Sequence, residues 1–275
     1  MEETVFRITW FGTASLGIEA GDTRLLIDPF IPLPGSRTPA FTDRYRTFDT
    51  ILVTHGHIDH IASLPAIVKG REDRVTICCT QTPAKTLAGM GLPQRMLRQV
   101  SPGDTLTFGE LTAQTLQGQH IRFDRQLVLR TLFSPRMLRH MRNLPALLTG
   151  TRRCPEAGET LAWHLQRHGL RILILGSLGI DQQTIYPDQP DLLVLPFQGS
   201  SDLLSHALPI VRQFRPRAVL LDHFDDPFPP ISNIVPTDAF VRQMSSEFPD
   251  VPVRVPDWGQ AILLMRRADG TVDIR

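Results

Sequence analysis

Seven consecutive residues, Thr54-His55-Gly56-His57-Ile58-Asp59-His60, carry three imidazoles and one carboxylate. Imidazole nitrogen and carboxylate oxygen are protein ligands of Zn²⁺ and other borderline divalent metals. His55 and His57 stand two residues apart, so in extended backbone both side chains project to one side. Asp59 and His60 come one turn later and can address a second point nearby. Such a cluster is costly to place after an apolar strand unless something binds it. The chemistry it suggests is metal-assisted hydrolysis. A metal lowers the pKa of a bound water toward ~7, and the resulting hydroxide attacks an ester, lactone or phosphoester centre while the metal polarises the substrate oxygen. Asp59 is the candidate catalytic group, placed to orient the nucleophile and pass a proton to the leaving group. No rival nucleophile motif is present: Gly-x-Ser-x-Gly is absent, and so is the Gly-x-x-x-x-Gly-Lys-[Ser/Thr] phosphate loop.

The elements that must position these residues are legible in outline. Short β segments are expected at Val5–Trp10, Ser15–Glu19 and Arg24–Ile27, with Gly21-Asp22 as a hairpin turn between the last two. Ile51–Val53 is a short strand feeding the histidine cluster, and Ile61–Lys69 reads as a helix. Further strands are expected at Arg74–Cys78, Thr105–Phe108 and Leu111–Leu116. From Arg171 onward, Arg171–Leu175, Asp191–Leu195 and Ala218–Leu221 are nearly continuous aliphatic runs, the signature of strands buried on both faces. Helices are expected over Asp202–Phe214 and Pro236–Phe248, and a last strand near Gln260–Met265.

The chain has 275 residues, 41% of them hydrophobic and 21% charged, with a formal net charge of +1. This composition supports a sizeable core and excludes intrinsic disorder. The near-neutral balance argues against a surface built throughout for nucleic acid. No apolar run approaches the ~18–20 residues that span a bilayer. The acidic start MEETVFRITW does not read as a secretory signal. Three cysteines, two of them adjacent at Cys78-Cys79, do not form a disulfide framework. The expectation is a cytoplasmic protein. His140, His164, His168 and His206 lie in helix-like or arginine-rich stretches without ligand spacing and read as solvated or packed side chains.

The motif His-x-His-x-Asp-His after a short strand, preceded by a meander ending in Leu26-Ile27-Asp28-Pro29, resembles the metallo-β-lactamase-fold hydrolases. The likeness extends over nearly the whole chain and leans toward the branch of L-ascorbate-6-phosphate lactonase-like proteins. It implies an α/β protein, an αββα sandwich of two mixed β-sheets flanked by helices, with a metal centre at one edge. It also implies one or two Zn²⁺ ions, with Mn²⁺ or iron as alternatives. By this resemblance His55 and His57 would bind a first metal, Asp59 and His60 a second. His120 takes the place of the third histidine of the first site. His223, in Asp222-His223-Phe224-Asp225-Asp226-Pro227, matches the family's last histidine motif. Asp28 and Asp225 are candidates to hold imidazoles from behind, or plain turn carboxylates.

One position departs from the family pattern. Most members carry Gly-Asp after the strand that begins at Arg171, and that carboxylate bridges the metals; this chain has Gly176-Ser177. Ser177 is either a hydrogen-bonding spectator or the mark of a site that binds its second metal weakly or takes an anion in compensation.

A single domain, 1–275, is expected, with a basic helical insertion at about residues 121–155. Between Ile121 and Arg153 stand eight arginines and one acid, so the rest of the chain is net acidic. Interleaved leucines and methionines give this stretch the look of one or two amphipathic helices. As a lid it would favour an anionic small-molecule substrate; as an exposed helix pair it would support a homo-oligomer. Two other readings stand beside the hydrolase. One is a nuclease of the same fold, which the acidic remainder of the chain disfavours. The other is a non-catalytic metal- or ligand-binding descendant, suggested by Ser177.

Overall fold

The computed structural model describes residues 5–121, 134–267 and 271–275. In chain order its strands are β1 (Val5–Gly12), β2 (Ser15–Ala20), β3 (Thr23–Ile27), β4 (Thr50–Leu52), β5 (Thr76–Cys79), β6 (Leu97–Gln99), β7 (Thr105–Phe108) and β8 (Leu111–Gln117). They continue as β9 (Leu161–Arg167), β10 (Leu170–Ile174), β11 (Leu192–Pro196), β12 (Val219–Asp222), β13 (Val253–Arg254), β14 (Ala261–Arg266) and β15 (Val272–Ile274). The α-helices are α1 (Thr42–Tyr45), α2 (Ile58–Ile61), α3 (Leu64–Val68), α4 (Gln81–Gly89), α5 (Pro135–Arg139), α6 (Leu144–Arg153), α7 (Leu203–Phe214) and α8 (Asp238–Glu247).

The strands form two mixed sheets, ordered β15-β14-β1-β2-β3-β4-β5-β6 and β13-β12-β11-β10-β9-β8-β7. Each is antiparallel in one half and parallel in the other, the switch falling at β3 and β10. Period-two alternation explains the aliphatic runs. On β10, Ile172 and Ile174 enter the core between the sheets, while Leu173 and Leu175 face the outer layer. On β11, Leu192 and Val194 point inward, and Leu193 and Leu195 pack with Phe214 of α7 and Phe240 of α8. Across the first sheet Leu52 and Cys78 face inward; Ile51, Ile77 and Cys79 face a cluster with Leu64 and Ile67 of α3 and Leu87 of α4. The result is a four-layer helix–sheet–sheet–helix sandwich. Cys78 and Cys79 occupy opposite faces of one strand, and all three cysteines are free and buried.

Two local expectations need correction. The helix expected over Ile61–Lys69 is two short helices, α2 and α3, with Pro65 in the first turn of α3, where its missing N–H costs nothing. Ser63 between them accepts the Ile31 N–H on its hydroxyl at 2.9 Å. His164 lies in strand β9, not in a helix-like stretch; Leu161, Trp163 and Leu165 alternate into the inter-sheet core. Strands β6, β13 and β15 and helix α4 lack a strong periodic signal and emerge only from pairing and packing.

Of the basic stretch, residues 122–133, with Arg122, Arg125 and Arg130, lie outside the described residues. The remainder forms α5 and α6. Arg136 is paired with Asp226 at 2.6 Å and also donates to the Ser232 carbonyl, so it is committed to the protein itself. Asn143 donates to the carbonyls of Pro34 and Pro229. Gly150 of α6 seats on Ile58, leaving no room for a Cβ, which would lie 2.1 Å from Ile58 Cδ1. Among the described residues no helix is long and apolar enough to cross a membrane.

Two consequences can be checked by chemical denaturation. Asn143→Ala deletes two hydrogen bonds and strands two carbonyls, with an expected loss of about 1–3 kcal/mol. Gly150→Ala forces α6 away from α2 and is expected to cost about 1–3 kcal/mol; an unchanged midpoint in both variants would contradict this account of how the helices are seated.

Candidate metal centre

Strand β4 carries the chain to the sheet edge, and the cluster begins two residues later. His57 sits in extended conformation at the N-terminus of α2, while Asp59 and His60 lie in that helix's single turn. His55, Asp59 and His60 are buried. Two triads result. Ligand-capable atoms of His55, His57 and His120 lie within 4.8 Å of one another, and so do those of Asp59, His60 and His223. The rings of His55 and His60 are 3.9 Å apart between centroids, which makes the triads immediate neighbours.

Asp28 stands behind both. It follows β3 in left-handed backbone (φ 41°), a conformation that a non-glycine residue rarely adopts and that the surroundings must hold in place. Its carboxylate accepts the Thr54 N–H at 2.8 Å, the Thr54 hydroxyl at 2.5 Å and Nδ1–H of His60 at 2.8 Å. Thr54 Oγ1, its proton given to Asp28, accepts Nδ1–H of His55 at 3.0 Å. Nδ1 therefore carries a proton in both rings, and the Nε2 lone pairs are directed elsewhere.

His120, three residues beyond β8, donates Nδ1–H to the Ile121 carbonyl at 2.6 Å, which selects the same tautomer. Ser177 is buried beside it, and its hydroxyl accepts the Ile121 N–H at 3.1 Å. His223 follows β12, also in left-handed backbone (φ 59°), and its N–H is held by the Thr13 carbonyl at 2.8 Å. Asp225 holds no ligand ring. It accepts the Thr13 N–H at 2.9 Å and the Thr38 hydroxyl at 2.6 Å, so it acts on His223 through the backbone of the β1–β2 turn. Thr54, Thr13 and Thr38 were not anticipated as site residues; only Thr54 carried a signal, as the residue directly before His55.

The triads are electrostatic opposites. Burial, joined by the neighbouring rings, holds His55 well below its usual 6.5; burial likewise brings His57 down to about 4 and lowers His120. These three are neutral bases at pH 7. In the other triad burial opposes charge but loses. The charges of Asp28 and Asp59 raise His60, and the Asp59 hydrogen bond and charge lift His223 to about 9. Asp59 is itself driven well below the usual carboxylate range, burial being outweighed by His60 and His223. Its Oδ2 is 3.0 Å from His223 Nε2 and 3.5 Å from His60 Nε2. Burial raises Asp222, at the end of β12, to about 7.

The donor set fits a divalent metal. His55 Nε2 and His57 Nδ1 face each other at 3.1 Å, although two neutral imidazoles can share only one proton between such atoms. The proton on His223, beside Asp59 at 3.0 Å, holds positive charge where a cation would take its place.

The profile of the Beta-lactamase superfamily domain matches residues 23–224. The chain belongs to that family. A UPF0173 metal-dependent hydrolase of Rhizobium meliloti (strain 1021) is 32% identical over 118 residues, 41% of this chain and 47% of the relative. The chain thus spans less than half the length of this curated relative. Two solved structures share the superfamily fold. The metallo hydrolase Igni18 of Ignicoccus hospitalis superposes with a TM-score of 0.62 at 18% identity, covering 94% of this chain and 98% of that one. The metallo-β-lactamase fold protein YhfI of Bacillus subtilis gives 0.62 at 13% identity, covering 94% and 99%.

A pH dependence follows for the metal-free protein. His223 titrates higher in the fold, at about 9, than its ordinary 6.5. Its stabilising proton is fully effective below 6.5 and is lost as pH rises through 9. The urea midpoint of chelator-treated protein is expected to fall between pH 6.5 and 9, and His223→Gln should flatten that slope. An identical slope in the variant would show that the proton resides elsewhere. With metal present, Asp28→Asn is expected to weaken metal affinity about 10–100-fold with the fold intact, read by competition with a chromophoric chelator.

Proposed function

We propose that this protein is a metal-dependent hydrolase in which His55, His57 and His120 hold one divalent ion and Asp59, His60 and His223 a second. The observation that carries this reading is the meeting of six ligand-capable side chains, from three separated stretches of chain, in two adjoining triads. Zinc is the metal best suited to such a nitrogen-rich set, with manganese or iron as alternatives. Bound there, it supplies a water acidified to near neutrality and a Lewis acid for the substrate oxygen.

The chain's own groups do the rest. Asp28 and Thr54 fix the His55 and His60 rings so that no reorganisation is needed when charge develops. Asp59, ionised at neutral pH and bordered by His223 and His60, orients the attacking water and carries its proton toward the leaving group. The bond cleaved is an ester, lactone or phosphoester; a lactone would agree with the resemblance to the L-ascorbate-6-phosphate lactonase-like branch. The Rhizobium meliloti relative, itself named a metal-dependent hydrolase, supports the reaction class. A small anionic substrate is favoured by the basic stretch at residues 121–155, which we propose as an insertion in a single domain. Arg139, Arg142, Arg152 and Arg153 are exposed, but Arg136 is not available to a substrate, being engaged with Asp226. A cytoplasmic location accords with three free, buried cysteines whose thiols burial pushes up to about 11–12. Self-association through the exposed Leu138 and Leu148 is also proposed.

The test is turnover of p-nitrophenyl acetate, a γ-lactone and bis-p-nitrophenyl phosphate by metal-loaded protein. Chelation is expected to abolish hydrolysis of at least one, and zinc or manganese to restore it. His57→Ala and Asp59→Asn should each lower kcat by 100-fold or more. Full activity after chelation, or in both variants, would overturn the proposal.

A further inference from the structure

The two triads differ in charge, and the difference points to a ligand. The Asp59/His60/His223 triad owns one carboxylate and has a second, Asp28, directly behind His60. The His55/His57/His120 triad has three imidazoles and, among the described residues, no carboxylate. Asp59, which belongs to the other triad, and Glu156 reach His57 and His120 through their charges. With the His55 and His60 rings 3.9 Å apart, two divalent ions would be close neighbours in a buried site, where like charges are poorly screened. One carboxylate between them leaves most of that repulsion in place.

Ser177 lies at the border of the all-histidine triad. It is 6% exposed. The preceding Gly176 is pressed so tightly on Thr54 that an added Cβ would lie 2.7 Å from Thr54 Cβ, which fixes this turn against the residue preceding His55. On its other side the Ser177 hydroxyl accepts the Ile121 N–H, and the Ile121 carbonyl in turn holds His120. The hydroxyl proton has no acceptor among the described residues, an unusual state for a buried donor.

We infer that the all-histidine triad completes its coordination with an exogenous oxyanion, a carboxylate or phosphate group, which also accepts the Ser177 hydroxyl proton, and that the substrate's own anionic group takes this place. The inference rests on the metal reading above and extends it from reaction class to substrate class. It makes the two ions inequivalent: one bound tightly beside Asp59 without help, the other bound well only together with the anion. It also gives Ser177 a role in specificity, since the hydroxyl recognises the anion without neutralising it.

Cobalt(II) binding to the chelator-stripped full chain tests this, followed by calorimetry and by the ion's visible absorption. Ionic strength is held constant with sodium perchlorate, with or without sodium acetate. One ion is expected to bind with the same affinity in both media, and a second at least tenfold more tightly with acetate. In Ser177→Asp the second ion should bind at least tenfold more tightly than in the unmodified protein without acetate, and the acetate effect should vanish. In Ser177→Ala both ions should still bind, with the acetate effect reduced below threefold. Two ions of equal affinity in perchlorate would overturn the inference while leaving the metal reading intact; so would an acetate effect unchanged in Ser177→Ala. Absence of any bound ion would overturn the metal reading and this inference together. If Ser177→Asp does not fold, the unmodified protein and Ser177→Ala decide the question.

Discussion

The Asp28 carboxylate is the constraint on which the rest of the site depends. Three hydrogen bonds converge on it, from the Thr54 backbone, the Thr54 hydroxyl and His60. Through Thr54 it also governs His55. One buried charge thus sets the tautomer of one ring in each triad and ties the end of β3 to the end of β4. A fully buried carboxylate is expensive unless it is well hydrogen-bonded, and here its three hydrogen bonds go to His60 and to the residue that holds His55. The left-handed backbone at Asp28 is a local strain held by the same network.

The sandwich explains why such a centre stands at its edge. Parallel strands β4 and β12 both end at the cluster, one followed by His55 and the other by His223. Their interiors are aliphatic on both faces, so the first polar side chains each strand can offer appear where it leaves the sheet. Trp10 stacks on Phe224 at 4.6 Å, and the Thr13 carbonyl holds the His223 N–H. The first sheet thereby fixes a loop of the second, and a centre shared by both sheets becomes a consequence of inter-sheet packing.

Much of this was legible in the sequence, for identifiable reasons. The His55–His60 cluster is contiguous, so its chemistry could be read from spacing alone, and the aliphatic runs of β10, β11 and β12 declared two-sided burial. His120 was legible only through resemblance, because nothing local distinguishes it from other histidines, whereas His223 also stands at the end of an aliphatic strand, where α/β folds place ligands. Asp225, a candidate either to support a ligand ring or to be a plain turn carboxylate, hydrogen-bonds Thr13 and Thr38 and acts on His223 through its charge and the Thr13 backbone, links that exist solely in the fold. The charge contrast between the triads was beyond sequence reading as well. It arises because burial prevails at His55, His57 and His120, whereas Asp28 and Asp59 act directly on His60 and Asp59 on His223. Strand β9 is not evident from the sequence although Leu161, Trp163 and Leu165 alternate, because His164 reads as part of a helix-like stretch.

The central claim is that five histidines and Asp59 surround shared cations. Anomalous diffraction at the zinc edge, from crystals of zinc-loaded protein, addresses it most directly. The account predicts one peak within about 2.0–2.2 Å of Asp59, His60 and His223, and in the presence of a carboxylate or phosphate anion a second peak, about 2.0–2.1 Å from nitrogens of His55, His57 and His120. Rings of His120 and His223 turned away from the His55/His57 pair, with no peak in either triad, would contradict it.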